Sequence, residues 1–286
     1  MDIRTRLALA VVSVALLSMA LLGVFAYQTS TALLQEISIR QLDALAESKS
    51  RELENAQAGW RDQVRLIRSR TRLLQDVVEY LETGSASAIQ SIVEVIAGAA
   101  TAVDDVDQIR ILRLDGTEIA VYGTTAGQRQ AKPAATEQVT FVDTILAPHG
   151  GVQVAFSTLL TDGAVPLGIV EVVFDARGIR GVTDDRTGLG ETGEVLVVMA
   201  APDDFIQVLN PLRHQETDGL MRLSKGDAAT AMKHALSIDS DHQWLHVTDY
   251  RGVDVWAATR FLPELGWGII VKVDAAEEGL RAVSLR

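Results

Sequence analysis

The chain has 286 residues, 48% of them hydrophobic, with a formal net charge of −12 and no cysteine. That length allows two modest domains, and that apolar content is enough for proper cores rather than a disordered tail. The acidic balance argues against nucleic acid as a partner, because phosphate binding needs a positive surface; the lack of thiols excludes disulfides, thiolate metal sites and cysteine nucleophiles.

The residues from Leu7 to Tyr27 carry no charge. A helix of that length covers roughly 30 Å, the thickness of a bilayer's hydrocarbon core. Arg4 and Arg6 precede it, so the positive-inside rule puts residues 1–6 in the cytoplasm and residues 28–286 outside it. A cleaved signal peptide is the rival reading, with Val24 to Ala26 as the cleavage site. The apolar run exceeds the roughly 7–15 residues of such signals, which favours an uncleaved anchor.

From Leu42 the apolar positions recur at a helical spacing without a proline: Leu42, Leu45, Leu53, Ala56, Trp60, Val64, Ile67, Leu74, Val78 and Leu81, with Lys49 and Thr71 interrupting. The spacing predicts one long helix running on from the span, whose stripe must be covered by a partner helix or by the body of the fold. Arg61, Arg65, Arg68 and Arg72 form a second stripe on it, read either as an anion-binding face or as a solvated flank pairing with acidic groups. Glu82 to Ser87 ends the helix, and a shorter helical stretch follows over Ala88 to Ala100.

The pattern then turns to strands. Gln108–Leu114 and Thr117–Gly123 flank Asp115-Gly116, a hairpin signal. A polar loop, Gly127 to Gln138, leads to three more strands at Val139–Leu146, Gly151–Leu160 and Leu167–Ala176. After the linker Arg177–Gly188 the order repeats. Gly193–Ala200 and Phe205–Leu209 come first, then a polar and helical stretch from Asp227 to Leu236, then Gln243–Asp249, Asp254–Leu262 and Trp267–Ala275. The closing strands end alike, at Asp175-Ala176 and, 99 residues later, at Asp274-Ala275. This is the pattern of one duplicated α/β module.

Gly188, Gly190 and Gly193 match the G-x-G-x-x-G spacing of dinucleotide loops. Such a loop must leave a strand and open a helix whose amides hold the pyrophosphate. Here it enters a strand, so the glycines are expected to supply positive φ in a tight turn. No H-E-x-x-H, G-x-S-x-G or P-loop spacing occurs, and no catalytic residue, cofactor or metal is expected.

The stretches TGLGETGEVLVV, NPLRH, DYRGVDVWAATRF and LPELGWGIIVKVD resemble the membrane-proximal half of double-Cache sensor domains, and LAESKSRELENAQAGWRDQVRLIRSRTRL resembles their long N-terminal helix. The resemblance covers nearly all of Gln28 to Ala276. It implies an α+β fold: a transmembrane helix, a long helix over 28–83 for signalling and dimerisation, and two tandem PAS-like modules with antiparallel sheets. The distal module would span 84–180 and the proximal one 181–276, with 277–286 leading towards a second span. The implied function is an extracytoplasmic small-molecule sensor in a bacterial inner membrane. It would report to a histidine kinase, diguanylate cyclase or chemoreceptor output outside this chain, and act as a homodimer with part of the Leu42–Leu81 stripe buried between parallel helices. The distal half lacks the Tyr/Arg/Trp-rich pattern of the amino-acid-binding subgroup, so the ligand's chemistry stays open. The rivals are a structural or partner-binding module and an extracytoplasmic nucleotide-cofactor enzyme.

In the distal module the candidate ligand residues are Arg110, Tyr122, Gln153, Ser157 and Asp175. Alternation puts Gln153, Ala155 and Ser157 on one face, which suits a pocket floor or solvent equally. Asp175 faces a ligand's amine or caps the following helix. In the proximal module the candidates are Arg213, His214, Tyr250 and Arg251, the last two within a turn closed by Asp249. His242 and His246, near His234, Asp239 and Asp241, would suit a zinc on a helix, but on a strand they stand too far apart to share one.

Overall fold

The structure is a computed structural model and describes residues 3–103, 105–125, 131–147, 151–215, 219–226, 230–237 and 242–277. It opens with a single helix, α1, Ile3–Arg68. Within it Val12–Ser30 is long and apolar enough to cross a membrane, with a mean hydropathy of 1.7 and none of that window buried in the fold.

Further along, α1 turns amphipathic and buries the expected stripe through Leu42, Leu53, Trp60, Val64 and Ile67. The expected continuous helix to residue 83 instead breaks after Arg68, and α2 (Thr71–Thr83) starts anew. The Ser69 hydroxyl donates to the Leu66 carbonyl at 3.1 Å, and Arg70 is extended, at φ −69° and ψ 112°. A serine that bonds the preceding turn competes with the helix ladder. The break re-phases the stripe: Leu73 and Val77 are the buried residues of α2, while Leu81 is exposed. Gly84, in the left-handed region at φ +66°, ends α2 by donating to the Tyr80 carbonyl. Helix α3 (Ala86–Thr101) packs back against α2.

Strands β1 (Val106–Leu112), β2 (Glu118–Gly123), β3 (Thr140–Leu146), β4 (Val152–Asp162) and β5 (Val165–Asp175) form an antiparallel sheet in the order β2-β1-β5-β4-β3. After α4 (Arg177–Asp184) come β6 (Glu194–Ala201), β7 (Phe205–Val208), β8 (Arg222–Ser224), α5 (Thr230–Ala235), β9 (His242–Thr248), β10 (Asp254–Leu262) and β11 (Trp267–Asp274). The second sheet runs β8-β7-β6-β11-β10-β9. Without the short edge strand β8, which the sequence did not signal, it repeats the first sheet's order strand for strand. The duplication read from the two Asp-Ala ends is therefore one of topology.

One face of each sheet lies on α1 and its neighbours, and a single hydrophobic cluster runs from Leu42 on α1 through both sheets. The stripe is thus covered by the chain's own body. Trp60 stacks on Phe174 and lies tilted against Phe156 in the first sheet, at 6.3 and 6.1 Å between ring centroids. Full burial of Leu53, Val64 or Ile67 stabilises by about 1.5–3 kcal/mol each. Polar ties reinforce the seam with the second sheet, its β10–β11 turn and the end of α4. Arg260 reaches Asp43 and Glu47, Lys49 reaches Asp185, and Gln57 and Arg61 both reach Glu264. The indole of Trp267 in β11 donates to Thr144 Oγ1 in β3 at 3.0 Å, a direct bond between the two sheets.

Candidate ligand-binding site

The face of the first sheet turned away from α1 carries the unusual chemistry. Arg110 on β1 pairs across with Glu171 on β5, Glu171 with Ser157 on β4, and Ser157 with Thr140 on β3. This puts a cation, a carboxylate and a hydroxyl in one row. Glu171 and Ser157 are fully buried. Arg110 donates to Glu171 Oε1 at 3.3 Å and to Glu118 Oε2 at 3.0 Å. A guanidinium held by two carboxylates is fixed in direction and keeps further N–H donors for an acceptor.

Gln153 lies on the same face, buried, with its amide on Asp107 Oδ2 at 2.5 Å. Burial raises the Asp107 carboxyl above its ordinary range; the Gln153 hydrogen bond opposes this, and the charge of Asp175 adds to it. The small polar face is thus covered and not open to solvent. Ser157 Oγ accepts from the Ala134 amide and donates to the Ala134 carbonyl, at 2.9 and 3.0 Å, which pins the segment after β2 across it.

Asp175 pairs across with Gln153 at the rim. Its carboxylate accepts from Arg177 Nε at 2.7 Å and does not cap α4, whose first flanking residue is Ala176. Asp175, Arg177, Val152 and Leu209 line a cleft of about 240 Å³. Tyr122 is the exception: it pairs with Ile109 and packs on the helix-side core, the opposite face from Arg110. Four of the five distal candidates share a face. Glu171 and Asp107 were missed, although a lone glutamate inside the apolar run Gly168–Phe174 was the available signal.

The four proximal candidates converge as well. The Arg213 amide donates to Glu194 Oε1 at 2.7 Å, its guanidinium to the Gly193 carbonyl, and a His214 ring nitrogen meets the Thr192 carbonyl. Tyr250 donates to Glu194, and Arg251 pairs with Asp249 and Asp274. The expected turn is present: Asp249 accepts from the Arg251 and Val253 amides between β9 and β10. Burial, then the charge and hydrogen bond of Glu194, push the Tyr250 hydroxyl above its ordinary range. Burial acts to raise the Asp249 carboxyl, but Lys272 and Arg251 outweigh it and leave it lowered.

The arginine stripe behaves as a paired flank. Arg61 meets Glu264, Arg65 meets Asp62, Arg72 lies near Asp76, and Arg68 donates to the Glu137 carbonyl and to Thr158. Arg61 and Arg65 border a cleft of about 530 Å³ with Glu54 and Glu264. The glycine loop enters β6 with no helix after it. Gly188 and Gly190 have positive φ, whereas Gly193 is needed because a Cβ would come within 2.2 Å of the Leu189 carbonyl oxygen. The loop's anion is internal: the Glu191 and Thr192 amides and the Thr192 hydroxyl all donate to Glu277. The side chains of His242 and His246, and the whole of Asp239 and Asp241, lie outside the described residues.

No family model matches the sequence, and no curated protein matches it. Solved structures do. The sensory domain of the Campylobacter jejuni chemoreceptor Tlp3 superposes with a TM-score of 0.57 at 8% identity, covering 88% of this chain and 99% of that one. The ligand-binding domain of the Pseudomonas fluorescens chemoreceptor CtaA, in complex with L-leucine, gives 0.52 at 14% identity over 87% and 99%. That of the Pseudomonas aeruginosa PAO1 amino-acid chemoreceptor PctB, in complex with L-Arg, gives 0.53 at 15% over 86% and 91%. With two sheets of one strand order along a single helix, the chain has the double-Cache fold of bacterial chemoreceptor ligand-binding domains.

Proposed function

We propose that the chain is the extracytoplasmic sensor of a transmembrane receptor, held in a bacterial inner membrane by the apolar start of α1 and reading a small molecule on the far face of the first sheet. The observation that carries this is the polar row of half-buried Arg110 with buried Glu171 and Ser157, the last bonded to a covering segment, in the module farther along α1 from the apolar segment. Polar groups are costly to bury, and a hydrophobic face would hold the covering segment without them. Arg110, Gln153, Ser157 and Asp175 are the residues assigned to the ligand. The modules divide near residue 180, with residues 28–83 as the shared helical part. Occupancy would shift α1 between two packings, to the extent that the ligand binds one better than the other. The output, a kinase, cyclase or chemoreceptor region, lies outside these residues.

The chemoreceptor domains of this fold bind amino acids such as L-leucine and L-Arg, which makes amino acids the first compounds to try. The test is a melting-shift screen of amino acids, organic acids, amines, and nicotinamide and flavin cofactors on the full chain in detergent. A compound at 100 times its Kd adds about 2.7 kcal/mol to the bound state. A hit is expected among compounds bearing an acceptor for Arg110, and Arg110→Gln should weaken it at least about tenfold. A panel without a hit, or a hit untouched by Arg110→Gln, would contradict the assignment. A hit confined to nicotinamide or flavin cofactors would favour the enzyme reading.

A further inference from the structure

Lys272, on β11, is 2% exposed and lies on the face of the second sheet turned away from α1. Its ammonium donates to Asp249 Oδ2 at 2.6 Å, pairs with Glu194 Oε2 at 2.8 Å, and stands 4.5 Å from the centroid of the Tyr250 ring. Both carboxylates are buried. Each is aimed by groups of its own: Glu194 by the Arg213 amide and the Tyr250 hydroxyl, Asp249 by the Arg251 amide and guanidinium. Two oriented carboxylates and an aromatic face are the parts from which a receptor for a primary ammonium is made.

We infer that the proximal module contains an ammonium-binding site whose occupant is the chain's own Lys272, and that the site accepts a free primary alkylammonium once that side chain is cut back. The strand order makes β11 the counterpart of β5, so this site and the Arg110 row lie on corresponding faces of the two modules. The tether gives the lysine an effective concentration that a dissolved amine does not match. The native proximal module is therefore closed to diffusible amines. This inference stands whether or not the distal face binds a ligand.

The test uses the full chain in detergent. Lys272→Ala removes three methylenes and the ammonium, the size of n-propylammonium. Its melting temperature should fall, then rise by about 3 °C or more in n-propylammonium chloride. It should not respond to n-propanol, which lacks the charge, nor to tetramethylammonium, which lacks N–H donors. Lys272→Met, whose side chain fills the stem's space, should not respond to the amine. Lys272→Ala combined with Glu194→Gln keeps the site's net charge as it was and should bind the amine more weakly, through Asp249 and the ring. The inference is overturned if neither alanine-bearing protein is stabilised by n-propylammonium beyond n-propanol, if Lys272→Met responds as strongly as Lys272→Ala, or if both alanine-bearing proteins stay unfolded when refolded with the amine.

Discussion

Asp185 and Asp249 show how single residues contribute to the pH dependence of this fold. Asp185 is lowered, first by its hydrogen bond from Lys49 and then by Thr187. Asp249 is lowered because Lys272 and Arg251 outweigh its burial. A carboxyl lowered by folding gives stability that is present above its unfolded value, about 3.9 for Asp, and is lost as pH falls through the folded value. The contribution of these two carboxylates to stability should therefore hold from pH 7 to about 5 and fall away below about 4. Asp185→Asn should start with a lower melting temperature at pH 6 and decline less steeply towards pH 3. Tyr250 contributes on the alkaline side with the opposite sign. Its hydroxyl is raised by burial and by Glu194, so its contribution is intact below about 10 and lost as pH rises through the folded value. In a titration followed at 295 nm, a late phenolate step is expected, absent in Tyr250→Phe. The partners in these networks were the least legible part of the sequence. Arg213, His214, Tyr250 and Arg251 stood in motif-like stretches, whereas Glu194 and Lys272, which tie them together, are lone charges in apolar strands. What makes such a charge tolerable is a partner on another strand, and strand order is not written in local spacing. Glu171 was missed for the same reason.

Among the elements, the strands were nearly all legible from alternation and turn residues, since a half-buried strand writes its period into its sequence. Strand β8, Arg222–Ser224, is too short to carry a period. The break between α1 and α2 left no glycine or proline to announce it; a serine hydroxyl and one extended arginine suffice. The helical stripe was legible, but what covers it was not, because two sheets and a partner helix ask for the same apolar face. Beside the Arg68–Thr158 hydrogen bond, the contact that joins α1 to the first sheet is aromatic. Trp60, 7% exposed, lies against Phe156 and Phe174, on the opposite face of β4 and β5 from Ser157 and Glu171. Trp60→Ala should cost about 3–5 kcal/mol, measured by urea unfolding. Trp60→Phe should cost much less, and equal losses in the two would mean that the site collapses around either change.

Across the whole molecule, α1 is the common spine. It bears the apolar segment at one end, meets the second module through Arg260 on β10, Glu264 in the turn after it and Asp185 at the end of α4, and meets the first sheet through Trp60. Because its stripe is occupied within the chain, we propose that a dimer through α1 would use the exposed stretch nearer the apolar segment, where Leu33 and Ile37 are 55% and 60% exposed. Cysteines placed at Leu33 and Ile37 should form symmetric disulfides across a dimer, while one at Val64 should form none. Crosslinking at Val64 alone would point to a different assembly. We propose opposite roles for the two topologically matched modules, the proximal one filled by its own Lys272 and the distal one taking the ligand. Hydrogen exchange of the full chain, with and without the compound that most raises its melting temperature, tests that division most directly. Protection is expected over residues 131–139 and along β4 and β5, with none at residues 213–214 or 249–251; protection at the proximal residues, or none at the distal face, would contradict it.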